Sequence, residues 1–177
     1  MISSDWNECL APSGPFDPIG FVYPELKNKL ESIFRLYTGN RISLGEATDE
    51  ISRLLPMPLS KVQMDAYLDA CFTTYKGVPE LIRWARESQI LFMINTTAPI
   101  GLFQRVFAKK LLPPVPALSG HDMTVFEPLP SDPEIILPLH ETVDKGQNTW
   151  KVAQKFGIRP EKIIIIGDSG GDGPHFE

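Results

Sequence analysis

Apolar positions in this chain change texture near residue 77, from helical spacing before it to short continuous runs after it. Leu26, Leu30, Ile33, Phe34 and Tyr37 fall on one face of a helix, with Pro24 near its first turn and Gly39 as its stop. Two further sets repeat the pattern: Leu44, Ala47, Ile51, Leu54 and Leu55, then Val62, Ala66, Tyr67, Cys71 and Phe72, separated by Pro56 and Pro58. Ser43 with Glu46, and Ser60 with Gln63, have the spacing of capping boxes, in which hydroxyl and longer side chain satisfy free N–H groups at a helix start. Before these helices, Met1-Ile2 running into Ser3-Ser4-Asp5 is a short strand by pattern, and residues 11–20 are a loop rich in Pro and Gly. Residues 14–75 therefore read as an all-helical insertion.

From residue 76 the pattern predicts alternating helix and strand: a helix over 79–87, a strand over 90–94, a helix over 99–110 and a helix over 145–156 stopped by Gly157. The Pro-rich stretch 111–138 has no clear pattern beyond short strand candidates at 124–126 and 135–137. Residues 163–166 are four isoleucines, the continuous apolar run expected of a central parallel strand covered on both faces. The fold class is α/β: a Rossmann-like three-layer core with a parallel sheet, residues 1–13 and 76–177, and helices 14–75 inserted after the first strand.

At 177 residues and 42% hydrophobic, the chain suffices for one core and an appendage. A formal charge of -5 supplies no basic field for nucleic acid or an anionic membrane. No stretch approaches the roughly 20 apolar residues of a membrane span, and the first ten residues lack a basic start, which predicts a cytoplasmic protein. Cys9 and Cys71 are far apart and outside any zinc spacing, so reduced thiols are expected. His121, His140 and His175 lack paired ligand spacing and read as surface residues, His175 lying close enough to an acidic loop to reach a substrate.

That loop is Gly167-Asp168-Ser169-Gly170-Gly171-Asp172, delivered by the isoleucine strand to the sheet end where α/β folds bind ligands. Two carboxylates four residues apart can hold a hard cation, one directly and one through water, and the glycines permit the turns. A solvated Asp/Gly turn closing an ordinary strand would look the same.

Gly167-Asp168-Ser169-x-x-Asp172 resembles the fourth signature of haloacid-dehalogenase-like hydrolases, and three more segments fall in that family's order. Asp5-Trp6-Asn7 matches the Asp-x-Asp at the end of the first strand. Gly77-Val78-Pro79-Glu80-Leu81-Ile82 looks like the exit from a helical cap, followed by Asn95-Thr96-Thr97 at the phosphate-binding Ser/Thr slot. Lys145-Gly146 stands where the phosphoserine-phosphatase-like branch has its lysine. The resemblance implies an Mg²⁺-dependent phosphohydrolase for a small phosphorylated metabolite. Asp5 would be nucleophile, Thr96 with Thr97 beside it would bind phosphate, and Lys145 would offset charge. Asp5, the Asn7 carbonyl, Asp168 and Asp172 would hold the metal, and helices 14–75 would be the cap. Two departures stand out. Asn7 replaces the usual general acid/base Asp and has no proton to exchange; the chain stops at Glu177, where family members continue with further sheet and helix, so a truncated C-terminus is expected. Asn7 keeps a second reading open, a catalytically impaired binding or regulatory protein, and a flavodoxin-like domain without a phosphate site is a third. Cys9 reads as a packing residue, and Trp6 as core or as a wall of the substrate entrance. Oligomeric state has no signature in the sequence.

Overall fold

The computed structural model describes residues 1–168 and 172–176. Five parallel strands, β1 (Ile2–Ser4), β2 (Phe92–Pro99), β3 (Ala117–His121), β4 (Ile135–Pro138) and β5 (Ile164–Ile166), form one sheet in the order β4-β3-β2-β1-β5. Between β1 and β2 the chain builds helices α1 (Asp17–Val22), α2 (Lys27–Thr38), α3 (Leu44–Leu54), α4 (Lys61–Cys71) and α5 (Val78–Glu87). Helix α6 (Ile100–Ala108) links β2 to β3, α7 (Asp144–Lys155) carries the chain from β4 across the sheet to β5, and α8 (Gly173–Phe176) follows. The chain steps outward from β1 to β4 and then returns to the far side of β1. That reversal opens a crevice between the carboxyl ends of β1 and β5, the place where such sheets bind ligands.

Strand alternation explains the three layers. Ile2, Phe92, Ile94 and Leu118 join the core of α5, α6 and the inserted helices, whereas Met1, Met93 and Ala117 pack against Val152 and Ala153 of α7. Nearer the strand carboxyl ends the α7 face turns polar, with Ser3, Asn95 and Ser119 meeting Thr149, Lys145 and Asn148. Helix α7 runs against the strands, so its first turns reach the crevice and its last turns fill the apolar end. This seam turns a helix into a support for a polar site.

Inserted helices start as their sequences require: Ser43/Glu46 and Ser60/Gln63 both close capping boxes. Two ion-pair contacts tie α4 to the core, a bidentate one from Arg105 to Asp65 (both 2.8 Å) and one from Lys109 to Asp69 (2.8 Å). From the loop after β4, Glu141 accepts from the Ser43 hydroxyl (2.7 Å) and the Leu44 and Gly45 N–H groups (3.2 and 3.1 Å), a second cap for α3 supplied by the core. Trp6, with 2% of its surface exposed, lies between Phe72 and Phe103 and is a core residue. No described helix is long and apolar enough to cross a membrane.

Several expectations are corrected. Helix α1 forms within the predicted 11–20 loop and beyond it, with Pro18 in its first turn, where a proline's missing N–H costs nothing. Strand β3 occupies the unassigned stretch, while 124–126 is a loop whose strand-like bonding is satisfied by a side chain: Gln104 accepts from Phe126 N–H (2.7 Å) and donates to Phe126 C=O (3.1 Å). β2 extends beyond its apolar run through Asn95, Thr96 and Thr97. Among the described residues β5 is an edge strand, not a central one, and Ile164 is 60% exposed. Residues 163–166 are exposed to half-buried, so this apolar run does not mark covered faces, and an edge is defined in the hydrogen-bonding direction, which side-chain pattern does not see.

Candidate active site

Strand β1 delivers Asp5 to the crevice, fixed by its own N–H to Ile166 C=O (2.9 Å) and by Trp6 N–H to its Oδ1 (2.7 Å). The other oxygen, Oδ2, lies 3.1 Å from Lys145 Nζ. Lys145 is 2% exposed, and its ammonium also meets Asp172 Oδ1 at 2.5 Å. Asp172 Oδ2 accepts the Asp168 N–H (3.2 Å). A Cβ on Gly167 would stand 2.5 Å from Asp172 Cγ, so only glycine at 167 leaves room for this carboxylate. Carboxylate oxygens of Asp5, Asp168 and Asp172 lie within 4.8 Å of one another. Ser169 of the same motif is outside the described residues.

Electrostatics follow from crowding. Burial, opposed by Lys145 and reinforced by Asp172, pushes the Asp5 carboxyl up to about 6. Asp168 is also raised, first by burial and then by Asp172. Three carboxylates face one ammonium here, and an all-oxygen donor set is what a hard divalent ion such as Mg²⁺ requires.

Asn7 sits beside this cluster with both ends of its amide engaged. Its Nδ2 donates to Ser13 C=O (2.8 Å), and its Oδ1 accepts from the Thr96 hydroxyl (3.0 Å). Since Ser13 C=O can only accept, the amide orientation is determined. Thr96 Oγ1 in turn accepts Ala98 N–H (3.1 Å). Thr96, fully buried, is thus linked to Asn7, whereas Thr97, 8% exposed, has no side-chain hydrogen bond to that group. Asp5, Lys145, Asp168 and Asp172 come together directly, and Asn7 and Thr96 form an adjoining pair.

A layer behind the site went unread in the sequence. Asn95, fully buried, donates to Lys145 C=O (2.8 Å) and to Thr149 Oγ1 (3.0 Å); Thr149 Oγ1 also lies 2.8 Å from Ser3 Oγ and 2.9 Å from His175 Nε2. His175 is therefore buried on the α7 face and not a surface residue, and burial followed by Lys145 pushes it down to about 4, leaving it neutral. His121 is likewise buried, at the end of β3, while His140 is exposed as expected. In sequence Lys145, Asn148 and Thr149 stand at helical spacing, but Ser3-Ser4 and Asn95-Thr96-Thr97 are unbroken polar runs that do not say which face each residue takes. Cys9 is half-buried, its Sγ 3.7 Å from Ser4 Oγ, and burial pushes the thiol up, away from reactivity.

No protein-family model matches the sequence, and none of the curated proteins does. Among solved structures the chain is similar to a substrate-bound phosphoserine phosphatase (TM-score 0.76, 16% identity), spanning 99% of this chain and 80% of that one. A phospho-aspartyl intermediate analogue of phosphoserine phosphatase superposes with TM-score 0.73 at 18% identity over the same shares, 99% and 80%. A haloacid-dehalogenase-family hydrolase from Salmonella enterica serovar Typhi gives 0.75 at 19% identity, with 98% of this chain and 57% of that one covered. The fold is thus that of the haloacid-dehalogenase-like hydrolases, of phosphoserine-phosphatase-like type.

Proposed function

We propose that the chain is an Mg²⁺-dependent phosphohydrolase that acts on a small phosphate monoester through Asp5. One observation carries the reading: Lys145, buried, bridges Asp5 and Asp172 at the sheet's reversal point, with Asp168 completing the carboxylate group. A carboxylate attacks phosphorus only where negative charge on both partners is offset, and this arrangement provides for it. Asp5, the Asn7 carbonyl, Asp168 and Asp172 would hold the ion. When bound, Mg²⁺ offsets charge on the phosphate oxygens and on the carboxylates.

The chain's own residues account for the remaining chemistry. Trp6 N–H fixes the rotation of Asp5, and Lys145 neutralises the transferring group. Thr96 turns its hydroxyl from Asn7 to a phosphate oxygen. An Asp5 carboxylate oxygen bonds to phosphorus as the ester P–O bond breaks, and the released alkoxide takes its proton from a water molecule retained in the crevice because Asn7 has none to give. Water then attacks the aspartyl-phosphate, releasing inorganic phosphate and restoring the carboxylate. Helices 14–75 act as a cap that closes over the crevice and excludes bulk water. A cavity of about 640 Å³ lies between these helices and the loop after Asn7, walled by Phe16, Phe21, Phe34, Tyr67 and Lys27, and none of Asp5, Thr96, Lys145, Asp168 and Asp172 lines it.

Asn7 favours a second reading, a binding or regulatory protein that retains the site without turnover, because its amide is locked by Ser13 and Thr96. Phosphate release from a panel of monoesters separates the two. Turnover abolished by chelator and by Asp5→Asn supports the hydrolase. Mg²⁺-dependent binding of a phosphate analogue without turnover supports the second reading.

A further inference from the structure

His121, Asp122 and His140 gather outside the phosphate site, at the carboxyl ends of β3 and β4. The sheet itself brings them together: Gly120 pairs with Pro138, and Leu139 N–H donates to Gly120 C=O (2.8 Å), so the residues that follow each strand emerge side by side. Asp144 Oδ2 accepts from His140 and Glu141 N–H (2.8 and 3.0 Å), which fixes the main chain carrying His140. Asp122 Oδ1 lies between the rings, 3.7 Å from His121 Nδ1 and 3.5 Å from His140 Nδ1, and one ligand atom from each residue falls within 4.8 Å of the others.

From this geometry we propose that His121, Asp122 and His140 form a binding site for a borderline divalent transition-metal ion of the Zn²⁺ class, distinct from the Mg²⁺ site. Metal–ligand bonds of about 2.0–2.1 Å in a tetrahedron place ligand atoms roughly 3.3–3.4 Å apart. The two distances to Asp122 are within a few tenths of an ångström of that. Two imidazoles and a carboxylate select Zn²⁺, Ni²⁺ or Cu²⁺ over Mg²⁺, whereas the oxygen-only set at Asp5, Asp168 and Asp172 selects the reverse. His121 is buried and His140 and Asp122 are exposed, which leaves a solvent-facing side for a water ligand. The rings stand edge to face, 84° apart with centroids 6.0 Å apart, so their nitrogens converge without stacking. One competing bond exists: His121 Nδ1 accepts Met123 N–H (3.0 Å), and the ion would displace that N–H or use Nε2.

The test is Zn²⁺ binding to the whole chain by competition with a chromophoric chelator, in excess Mg²⁺ and with Cys71→Ser to remove the exposed thiol. The expected result is one equivalent bound with micromolar or tighter affinity. His140→Ala should weaken it at least tenfold and Asp122→Asn measurably, while Asp168→Asn leaves it unchanged. His140 is exposed, so its replacement does not threaten folding; His121→Ala is read only if its circular dichroism matches the parent. Co²⁺ should give the visible band of a tetrahedral site, absent in His140→Ala. Affinity only in the millimolar range, binding indifferent to His140→Ala, or loss of binding in Asp168→Asn would each overturn the proposal.

Discussion

Replacing Asn7 by Asp tests the proposed chemistry most directly, because it restores a proton donor and alters little else in shape. Proton transfer to a leaving group by a positioned carboxylic acid contributes about 10²–10⁴-fold, or roughly 3–5 kcal/mol of barrier. That gain applies only where the leaving group needs a proton. Asn7→Asp should therefore accelerate release of phosphate from simple alkyl esters by about a hundredfold or more, yet change p-nitrophenyl phosphate hydrolysis less than about threefold. The substitution also has a structural cost. Asn7 Nδ2 donates to Ser13 C=O at 2.8 Å, and an ionised Asp would set two acceptors against each other there. Leaving a buried acceptor unpaired costs about 1–3 kcal/mol, which in a chain of this length lowers Tm by about 2–12 °C. Leaving-group dependence is measured by steady-state phosphate release and stability by thermal denaturation in the same buffer. Equal rate changes for both ester types, in a variant that remains folded, would refute Asn7 as the missing proton donor.

Other consequences can be checked separately. Mg²⁺ at about a hundred times its dissociation constant should add about 2.7 kcal/mol to folding stability, seen as a rise in Tm that Asp168→Asn reduces. Lys145→Met leaves Asp5 and Asp172 without their shared ammonium, and losing one partner of a buried ion pair costs about 3–5 kcal/mol; a chemical denaturation midpoint equal to the parent's would contradict the role given to Lys145. Phe103, fully buried against Trp6, should cost about 3–5 kcal/mol when replaced by Ala, measured by the same unfolding curves. Arg105 holds the Asp65 carboxyl below its ordinary value of about 3.9. Its stabilisation is thus present above that pH and lost as pH falls through the folded-state value. Asp65→Asn should therefore cost about 1 kcal/mol at pH 7, given partial solvent screening, and nothing once the parent's carboxyl is protonated in both states. A difference that persists unchanged to the lowest pH at which both fold would show that charge is not its cause.

Much of the architecture was legible because the signals were local. Capping boxes at Ser43 and Ser60 and the stop at Gly39 depend on neighbours within four residues, and the α2, α3 and α4 helices form where those signals predict. β3 was not legible, since Ala117, Leu118, Ser119 and Gly120 acquire strand character from pairing with β2 and β4, which no local pattern encodes. At the site, Asp5, Lys145, Asp168 and Asp172 could be picked out by motif order. The buried contacts of Ser3, Asn95, Thr149 and His175 could not, because each is an ordinary polar residue in sequence and they meet across up to 172 positions. Only the face assignment of β1 and β2 against α7 brings them together.

Glu141 limits how freely the two parts of the molecule can be recombined. Its carboxylate belongs to the core but completes the first turn of α3 in the inserted helices, through Ser43, Leu44 and Gly45. The inserted helices are therefore not a self-contained module that could be exchanged for another of the same length. A chimera carrying foreign helices on this core would present Glu141 to a helix start not shaped for it, and these helices on a foreign core would fray at Ser43. The unit of exchange is helix α3 together with the loop that follows β4, although almost a hundred residues separate Ser43 from Glu141 in the chain.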